Sequence, residues 1–371
     1  MSIAVQGVRL RQADPFLLLA TVGLTALGVV LVGSSTRQYY DPPTLIGNSW
    51  FIKEILFVVV GSVALLCCAW LKPGVLRTLA YPIYGVSLLS LVAVLILGHN
   101  LHGATRWIEI AGIPLQPSEP AKLALVLALA RALSGEVRVK AVLKSAGLLA
   151  APVLFIYLQP DLGTAVSLVA IWFGMMLLSN TPARYLSVIT VLGLIAVPLS
   201  WFVMKDYMRE RVLIFLNPKA DSLGQGYNIL QAQMSIGSGG MWGKGLFEGT
   251  QTQLRFLRVS HSDFIFSVLG EELGFIGAMA LFALFLVLLL RVLRAHDVAD
   301  ERFSSLVCAG VMAMIAFQAI ANLSANVGLT PVVGIPLPFV SYGGSALITQ
   351  LAGIGLVQAT LVRRRLYRFE A

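Results

Sequence analysis

The chain has 371 residues, of which 57% are hydrophobic and only 12% are charged. Soluble domains have about a quarter charged residues, so this composition excludes an ordinary water-soluble protein. Lipid must surround much of the chain, and in lipid only helices and closed barrels satisfy their backbone hydrogen bonds. The apolar stretches are long and unbroken rather than short and alternating, which predicts an all-α polytopic membrane protein. The net charge of +9 is interpreted through the distribution of the basic residues relative to the membrane, and it does not indicate a nucleic-acid partner.

The apolar stretches predict about ten membrane-spanning helices, since a helix needs about 20 residues to cross a bilayer core. In chain order they are residues 15–35, 52–71, 77–98, 117–134, 143–159, 162–180, 184–204, 263–290, 304–325 and 343–362. The first lacks an obvious signal-peptide cleavage site, so we expect it to be retained. Gln159-Pro160-Asp161 separates the fifth from the sixth, either as a tight turn between two helices or as an irregular point within one.

The positions of lysine and arginine favour cytoplasmic N- and C-termini. On that orientation most basic residues of the short loops lie inside, as does the C-terminal cluster Arg363-Arg364-Arg365. One long extramembrane segment remains, about residues 205–262, and it is predicted to lie outside. It contains apolar side chains such as Phe215 and Trp242, so we expect it to fold back onto the membrane surface. The whole chain, residues 1–371, is predicted to be a single transmembrane domain.

Charged side chains at membrane depth cost about 3 kcal/mol or more and therefore suggest a structural or functional partner. At the outer start of the fourth span, Glu119 and Lys122 are three residues apart and share one helix face. One interpretation is a mutually neutralising pair that holds two helices together. The other is a charged pocket in which Lys122 meets a phosphate or tunes a neighbouring carboxylate. The residues leave both open.

A second candidate is Asp263, where the long segment enters the eighth span. Its simplest role is the N-cap of that helix, which a preceding serine could also fill. A carboxylate in a partly desolvated mouth would instead have a raised pKa that suits a general base. His261 is expected at the interface rather than on a metal, because no second ligand has a suitable spacing. Deeper in the span, Glu271 and Glu272 are expected to make structural pairs in the protein interior.

A proline-rich segment, residues 331–345, precedes the last span. Its three prolines exclude a regular helix, so we predict a rigid loop at the outer leaflet. Such backbone is tolerated at membrane depth only against protein or a water-filled cavity. The helix start at Gly343-Gly344-Ser345 leaves N–H groups that could bind an anion such as a phosphate. The alternative is a re-entrant packing element without a ligand.

Taken together, these segments resemble the SEDS family (shape, elongation, division and sporulation proteins). The matching motifs run in the family's order over most of the chain: Arg106-Trp107-Ile108, Gln116-Pro117-Ser118-Glu119, Gln159-Pro160-Asp161-Leu162-Gly163-Thr164, Tyr227-Asn228 with Gln231 and Gln233, His261-Ser262-Asp263-Phe264-Ile265-Phe266, Gly270-Glu271-Glu272-Leu273-Gly274 and the loop 336–345. One departure is Leu257-Arg258-Val259-Ser260, where the family usually has Leu-Pro-Glu before the His-Thr-Asp motif. The loop from Gly334 to Pro338 and the short tails are more similar to the elongation branch (RodA type) than to the division branch (FtsW type).

The resemblance implies a peptidoglycan glycosyltransferase of the bacterial cytoplasmic membrane that polymerises lipid II on the outer face. It implies that Asp263 is the catalytic carboxylate, with Glu119 and Lys122 beside it. The departing pyrophosphate would be neutralised by a divalent cation (Mg²⁺ or Mn²⁺) or by basic residues, namely Arg106, Lys122, Arg209, Arg211, Lys244 and Arg255. The matching motifs assign substrate-binding positions to Arg106, Gln116, Ser118, Asp161, Gln233, His261, Ser341, Gly343 and Gly344. The family also implies a partner, a class B penicillin-binding protein with transpeptidase activity.

Two further functions fit the residues. Discontinuous spans and charges at membrane depth are also typical of transporters, so a lipid II flippase is an alternative. Against it, the sequence shows no clear inverted repeat, and the charged motifs gather on one side. A scaffold that only recruits partners is the third hypothesis, and it predicts that no single carboxylate matters. The spacing of the residues alone supports an enzyme and a transporter about equally. The resemblance favours the enzyme.

Overall fold

The computed structural model describes residues 13–39, 45, 48–97, 99–101, 104–110, 113–221, 224–257 and 259–370. In these ranges the helices are α1 Pro15–Thr36, α2 Ser49–Trp70, α3 Pro73–Leu97, α4 Ser118–Leu133, α5 Val139–Leu158, α6 Leu162–Leu178, α7 Ala183–Val203, α8 Asp206–Leu216, α9 Gln225–Ser238, α10 Thr250–Gln253, α11 Ile265–Val298, α12 Arg302–Asn326 and α13 Gly344–Glu370. Short 3₁₀ turns cover Arg37–Tyr39 and Pro218–Ala220.

Eight of the described helices are long and apolar enough to cross a membrane, namely α1, α2, α3, α5, α7, α11, α12 and α13. The 17-residue α6 is apolar but shorter, and the 16-residue α4 carries Glu119, Lys122 and Arg131. Helix α4 lies inside the bundle and contacts α3, α5, α6, α12 and α13, while α6 packs on α4, α5 and α12 and leaves Val166, Val169 and Leu177 exposed. Each predicted span therefore corresponds to one helix, and the all-α polytopic membrane fold is confirmed.

Helix α7 is the exception to this close packing. It is 21 residues long and apolar, yet none of its residues is fully buried, and only Leu186 and Ile189 are partly buried against the described core. Its C-terminal end touches the bundle where the Tyr157 hydroxyl donates to the carbonyl of Val203 (3.0 Å). An apolar helix with this exposure requires lipid or another apolar surface around it.

The segment between α5 and α6 is a tight turn, which decides between the two interpretations of Gln159-Pro160-Asp161. The backbone N–H of Gln159 closes the end of α5 on the carbonyl of Ile156 (3.1 Å). The Asp161 carboxylate then caps α6 by accepting from the Thr164 N–H (3.2 Å) and hydroxyl (2.8 Å). Two separate helices result.

A small antiparallel sheet, absent from the sequence prediction, connects α3 to α4. Its strands are β1 His99–Leu101, β2 Ala104–Ile110 and β3 Ile113–Leu115, in the order β1-β2-β3. The register pairs His99 with Trp107 and Ile108 with Leu115. The sheet carries Arg106 at the bundle end where α4, α6, α11 and α13 begin, which we call the loop end.

The long segment between α7 and α11 folds back onto the bundle through α9, which packs on α11. The sequence predicted the eighth span over residues 263–290. The structure corrects this, because α11 extends to Val298 and is broken at Gly274, whose φ of +63° and ψ of −159° are not helical. Residues 239–245 fill the break, and the N–H of Phe275 donates to the carbonyl of Gly240 (2.9 Å). An added Cβ at Gly274 would collide with the backbone of Gly243.

The proline-rich loop between α12 and α13 has no helix from residue 329 to 343, as predicted. Protein groups satisfy its buried backbone. The Asn322 amide donates to the carbonyl of Ile335 (2.9 Å), and the N–H of Phe339 donates to Gln350 Oε1 (2.8 Å). The loop is therefore a packed element of the loop end, held against α12 and α13.

Candidate active site

Asp263 lies half-buried at the loop end, directly before α11. It is not the N-cap, which corrects the simplest expectation: the cap position is Phe264, and no side chain of the described residues caps this helix. The Asp263 carbonyl accepts from the amides of Asn322 (3.0 Å) and Asn326 (2.8 Å) on α12. Its carboxylate accepts a bond from the Ser262 hydroxyl (3.3 Å). The backbone is thus fixed, while the carboxylate is not committed to the helix.

Burial raises the pKa of Asp263 above its ordinary value of 3.8. Three groups oppose this rise: the Ser262 hydroxyl by its hydrogen bond, and the guanidinium groups of Arg211 and Arg106 by their charge. The net direction is upward. Because a stronger base is a better proton acceptor, the environment suits general base catalysis.

A small cavity adjoins Asp263. Its volume of about 10 Å³ is close to the space of one water molecule. The walls come from α12 and the proline-rich loop, namely Ala321, Asn322, Ala325, Val332, Val333, Gly334 and Ile335. A sugar is much larger than this cavity, so a substrate would have to approach Asp263 from its exposed side.

Arg106 and Asp161 form an ion pair, and the charge of Arg106 acts on Asp263. The guanidinium Nη1 lies 3.6 Å from Asp161 Oδ1, and Nε donates to the carbonyl of Gln159 (3.3 Å). A further bond joins the guanidinium to the carbonyl of Pro160. Asp161 also accepts from the Gln116 amide (3.2 Å) as well as from Thr164. Asp161 thus holds the turn and orients Arg106, while Arg106 brings positive charge to the site.

Glu119 and Lys122 form the buried ion pair that one of the two interpretations predicted. Lys122 Nζ donates to Glu119 Oε1 at 2.7 Å, and the two residues are only 1% and 3% exposed, respectively. The second oxygen, Glu119 Oε2, has no hydrogen-bond partner within the described ranges. No described contact joins this pair to Asp263, so its catalytic role stays a prediction.

Two of the predicted substrate-binding residues, Gln116 and Ser341, make hydrogen bonds that connect separate loops. The Gln116 N–H donates to the Ser345 hydroxyl (3.0 Å), which connects the start of α4 with the start of α13. The Ser341 hydroxyl donates to the carbonyl of Ser262 (2.6 Å) and fixes the proline-rich loop beside Asp263. Ser118 is buried. Their predicted contacts with substrate are not tested by this geometry.

Gly343 and Gly344 stand at the start of α13, where an anion site was predicted. The buried ring of Phe57 from α2 packs directly against Gly344. A side chain at Gly344 would meet that ring, so the glycine permits close packing of α2 and α13. The predicted anion site at these N–H groups remains a prediction.

His261 contacts aromatic rings, and Gln233 contacts a backbone carbonyl at the end of α12. The His261 ring lies 4.6 Å from Trp50 and 5.8 Å from Tyr342, measured between centroids. Burial lowers its pKa to about 4, so the imidazole is neutral near pH 7. Gln233 is exposed and donates to the carbonyl of Val327 (3.4 Å).

Of the four basic residues considered in the long segment, only Arg211 is positioned at the Asp263 cavity. Its Nη1 donates to the carbonyl of Val332 in the cavity wall (3.3 Å). Arg209 donates to the carbonyl of Trp201 at the end of α7 (3.1 Å). Lys244 pairs with Glu271 (2.9 Å) and Arg255 donates to the carbonyl of Gln38. The neutralising role implied for these four residues stays a prediction, and the geometry favours Arg211 for it.

Three residues at this site were missed by sequence reasoning, namely Tyr207, Asn322 and Asn326. The two asparagines are four residues apart in an apolar helix, so they share one face. Two amides on one face of a buried span are a signal that the sequence did contain. Tyr207 gave no such signal, because an aromatic residue in an extramembrane segment is ordinary.

Within the described residues, no group of three or more His, Cys, Asp or Glu side chains is arranged to hold a metal ion. Asp263 and Asp161 supply oxygen ligands of the type Mg²⁺ prefers, but Asp161 is already bonded to Thr164, Gln116 and Arg106. The chain does not present a ready-made ligand set, so no catalytic step below passes through a cation. The predicted Mg²⁺ or Mn²⁺ remains a prediction.

The FtsW/RodA/SpoVE family of cell cycle proteins matches residues 15–366. The chain belongs to this family. It is the SEDS family that the sequence motifs indicated, so that resemblance is confirmed.

Relatives of this SEDS protein align over nearly its whole length. The peptidoglycan glycosyltransferase MrdB of Escherichia coli is 37% identical over 358 residues, covering 95% of this chain and 94% of the relative. A probable peptidoglycan glycosyltransferase FtsW of Trichlorobacter lovleyi is 36% identical, covering 94% and 93%.

Two solved structures share the fold of this SEDS protein. A chain from a peptidoglycan synthase complex, solved to show structural coordination of polymerization and crosslinking, has a TM-score of 0.80 and 34% identity, covering 95% of this chain and 98% of that one. The rod shape determining protein RodA of Thermus thermophilus has a TM-score of 0.70 and 31% identity, covering 95% and 97%.

Proposed function

We propose that the chain is a peptidoglycan glycosyltransferase that polymerises lipid II into β-1,4 glycan strands at the outer face of the bacterial cytoplasmic membrane, in support of cell elongation. The activity is that of its named relatives. One observation carries the mechanism: an aspartate that is not a helix cap has its backbone carbonyl held by two asparagines, and its carboxylate feels the charge of two guanidinium groups.

Asp263 is the general base of this reaction. Its carboxylate accepts the proton of the acceptor's 4-hydroxyl as that oxygen attacks the anomeric carbon of the donor sugar. The C–O bond to the pyrophosphate breaks on the opposite side. An α-linked donor therefore becomes a β-linked product by inversion. The raised pKa of Asp263 increases its basicity at the moment of attack.

Arg106 and Arg211 stabilise the departing pyrophosphate. The leaving pyrophosphate gains negative charge in the transition state, and preoriented cations in a dry site stabilise such charge far better than water does. Asp161 and the carbonyls of the 159–161 turn orient Arg106, while Val332 orients Arg211. The same guanidinium groups keep the Asp263 carboxylate from becoming too weak an acid.

The remaining predicted roles belong to the same proposal. Lys122 and Glu119 tune the site from α4, and the substrate-binding positions contact the two lipid II molecules.

We further propose that both termini are cytoplasmic, so that the loop end faces outward. The partner is a class B penicillin-binding protein, a proposal supported by the similarity to a chain of a synthase complex that couples polymerization to crosslinking.

One reconstitution separates this enzyme from a lipid II flippase. Purified protein is placed in liposomes with lipid II in one leaflet, and both glycan chains and lipid II in the opposite leaflet are measured. The proposal predicts glycan polymer without net transfer of unreacted lipid II. Transfer without polymer would contradict it and establish the transporter.

A further inference from the structure

Helix α8 brings Arg211 to the wall of the Asp263 cavity and Tyr207 close to the charges of Arg211, Arg106 and Asp161. The two residues are four apart and therefore share one helix face. Arg211 is anchored there by its bond to the carbonyl of Val332, which also lines the cavity. Neither residue belongs to the motifs by which the family was recognised from the sequence.

Each of the two side chains carries a buried polar atom that has no partner among the described residues. The hydroxyl of Tyr207 and the Nε of Arg211 are shielded from solvent, yet neither has a hydrogen-bond partner within the described part of the chain. Buried donors are almost always satisfied in native proteins, and the exceptions call for an explanation such as a missing ligand. Two such donors on one helix face would be satisfied together by one acceptor.

The charge around this pair selects the chemistry of that acceptor. Tyr207 lies in the electrostatic field of Arg106, Arg211 and Asp161. The negative charge of Asp161 is already used by Arg106, Thr164 and Gln116. Burial raises the pKa of Tyr207, so its hydroxyl keeps its proton and can donate it in a hydrogen bond. The surroundings thus offer neutral and cationic donors, while the neighbouring Asp161 carboxylate is already bonded, which favours an anion with several oxygens.

We propose that Tyr207 and Arg211 form a phosphate subsite for the diphosphate of the lipid-linked sugar donor. This inference rests on the proposed function and deepens it. The Tyr207 hydroxyl and Arg211 Nε donate to oxygens of the diphosphate, and Arg106 neutralises it from the side of β2. The donor is thereby oriented with its anomeric carbon toward Asp263. Both residues are positioning residues with respect to the proton transfer.

The same helix supplies a matched control. Arg209 is two residues from Arg211 and carries the same charge, but it turns to the end of α7, where it donates to the carbonyl of Trp201 and lies over the ring of that residue. A general electrostatic effect of the outer segment on an anionic lipid would involve Arg209 as much as Arg211. A specific phosphate-binding site would involve Arg211 and not Arg209.

Binding without turnover tests the subsite. Full-length protein in detergent is titrated with undecaprenyl diphosphate, and with the uncharged alcohol undecaprenol as the reference lipid. For Arg211→Gln and Tyr207→Phe we expect the Kd for the diphosphate to rise by about tenfold or more, with the Kd for undecaprenol unchanged. For Arg209→Gln both Kd values should equal those of the wild type. Arg211→Lys should recover only part of the affinity, because it lacks Nε.

Equal diphosphate affinity in wild type, Tyr207→Phe and Arg211→Gln would overturn the inference. So would a loss that Arg209→Gln shares to the same extent. Should Arg211→Gln fail to fold, Tyr207→Phe and Arg211→Lys decide the matter, since both keep most of the side-chain volume. Failure of the proposed function appears separately, as wild-type protein that makes no glycan from lipid II although its diphosphate binding still depends on Arg211.

Discussion

The amide of Asn326, in the last turn of α12, donates to the backbone carbonyl of Asp263 at 2.8 Å. The same amide reaches the carbonyl of Asn322 (2.9 Å), and its oxygen accepts from the Ser267 hydroxyl in the first turn of α11 (2.8 Å). One side chain therefore joins the end of one buried helix to the start of the next and holds the catalytic position between them.

Replacing this amide should impair catalysis more than binding. In Asn326→Leu the Ser267 donor loses its partner, which should cost about 1–3 kcal/mol of stability. We expect kcat to fall by about tenfold or more with KM little changed, because the position of the base, not the lipid site, is disturbed. Steady-state polymerisation of lipid II measures both. Ser324→Ala on the same helix, where the hydroxyl bonds only to its own helix and Thr330, is the control and should behave as wild type.

The pH profile should report the electrostatics around Asp263. The base acts when ionised, so kcat/KM should fall as pH drops through its pKa, which burial raises above 3.8. Arg211 opposes that rise by its charge. Removing the charge in Arg211→Gln must raise the pKa further and shift the acid limb of kcat/KM to higher pH. Arg209→Gln should leave the limb in place; an unmoved or lower limb in Arg211→Gln would contradict the assignment.

A double-mutant cycle on Glu119 and Lys122 separates their structural role from a catalytic one. Lys122→Met leaves an ionised Glu119 buried without its partner and should cost about 3–5 kcal/mol. Adding Glu119→Gln removes that charge and should restore much of the stability. The prediction is that melting temperature recovers in the double variant while polymerisation does not. Recovery of both would show that the pair only holds helices together.

Two buried glutamates should respond differently to replacement by glutamine. Glu54 on α2 is 1% exposed, and neither carboxyl oxygen has a partner among the described residues. Glu271 accepts from Lys244 (2.9 Å), the Gln251 N–H (2.8 Å) and the Thr252 hydroxyl (3.0 Å). Glu54→Gln should leave the melting temperature nearly unchanged, since a buried carboxyl without a partner is kept neutral by a proton and glutamine is neutral too. Glu271→Gln should lower it. A destabilised Glu54→Gln would reveal a partner for that carboxylate.

Hydropathy alone predicted the helical framework well. The span order, the turn at Gln159-Pro160-Asp161 as one of two options, and the non-helical loop before α13 all follow from run length and proline chemistry. These features depend on the local sequence and on the lipid environment, and the composition of the chain indicates that environment.

Features that depend on tertiary contacts were not predicted. The break at Gly274 is fixed by residues 239–245, which are distant in the sequence. The sheet from His99 to Leu115 has strands too short to show a clear alternation. The choice of Arg211 over Arg209, Lys244 and Arg255 depends on the path of the long segment, which composition does not encode.

The most direct measurement is the rate of glycan formation from purified lipid II by wild type and Asp263→Asn. The asparagine keeps the shape of the side chain and the carbonyl that Asn322 and Asn326 bind, but it cannot accept the proton. The account predicts an unchanged melting profile, retained binding of undecaprenyl diphosphate, and a rate lower by a factor of about 10² to 10⁴. Polymerisation by Asp263→Asn within about twofold of wild type would contradict it.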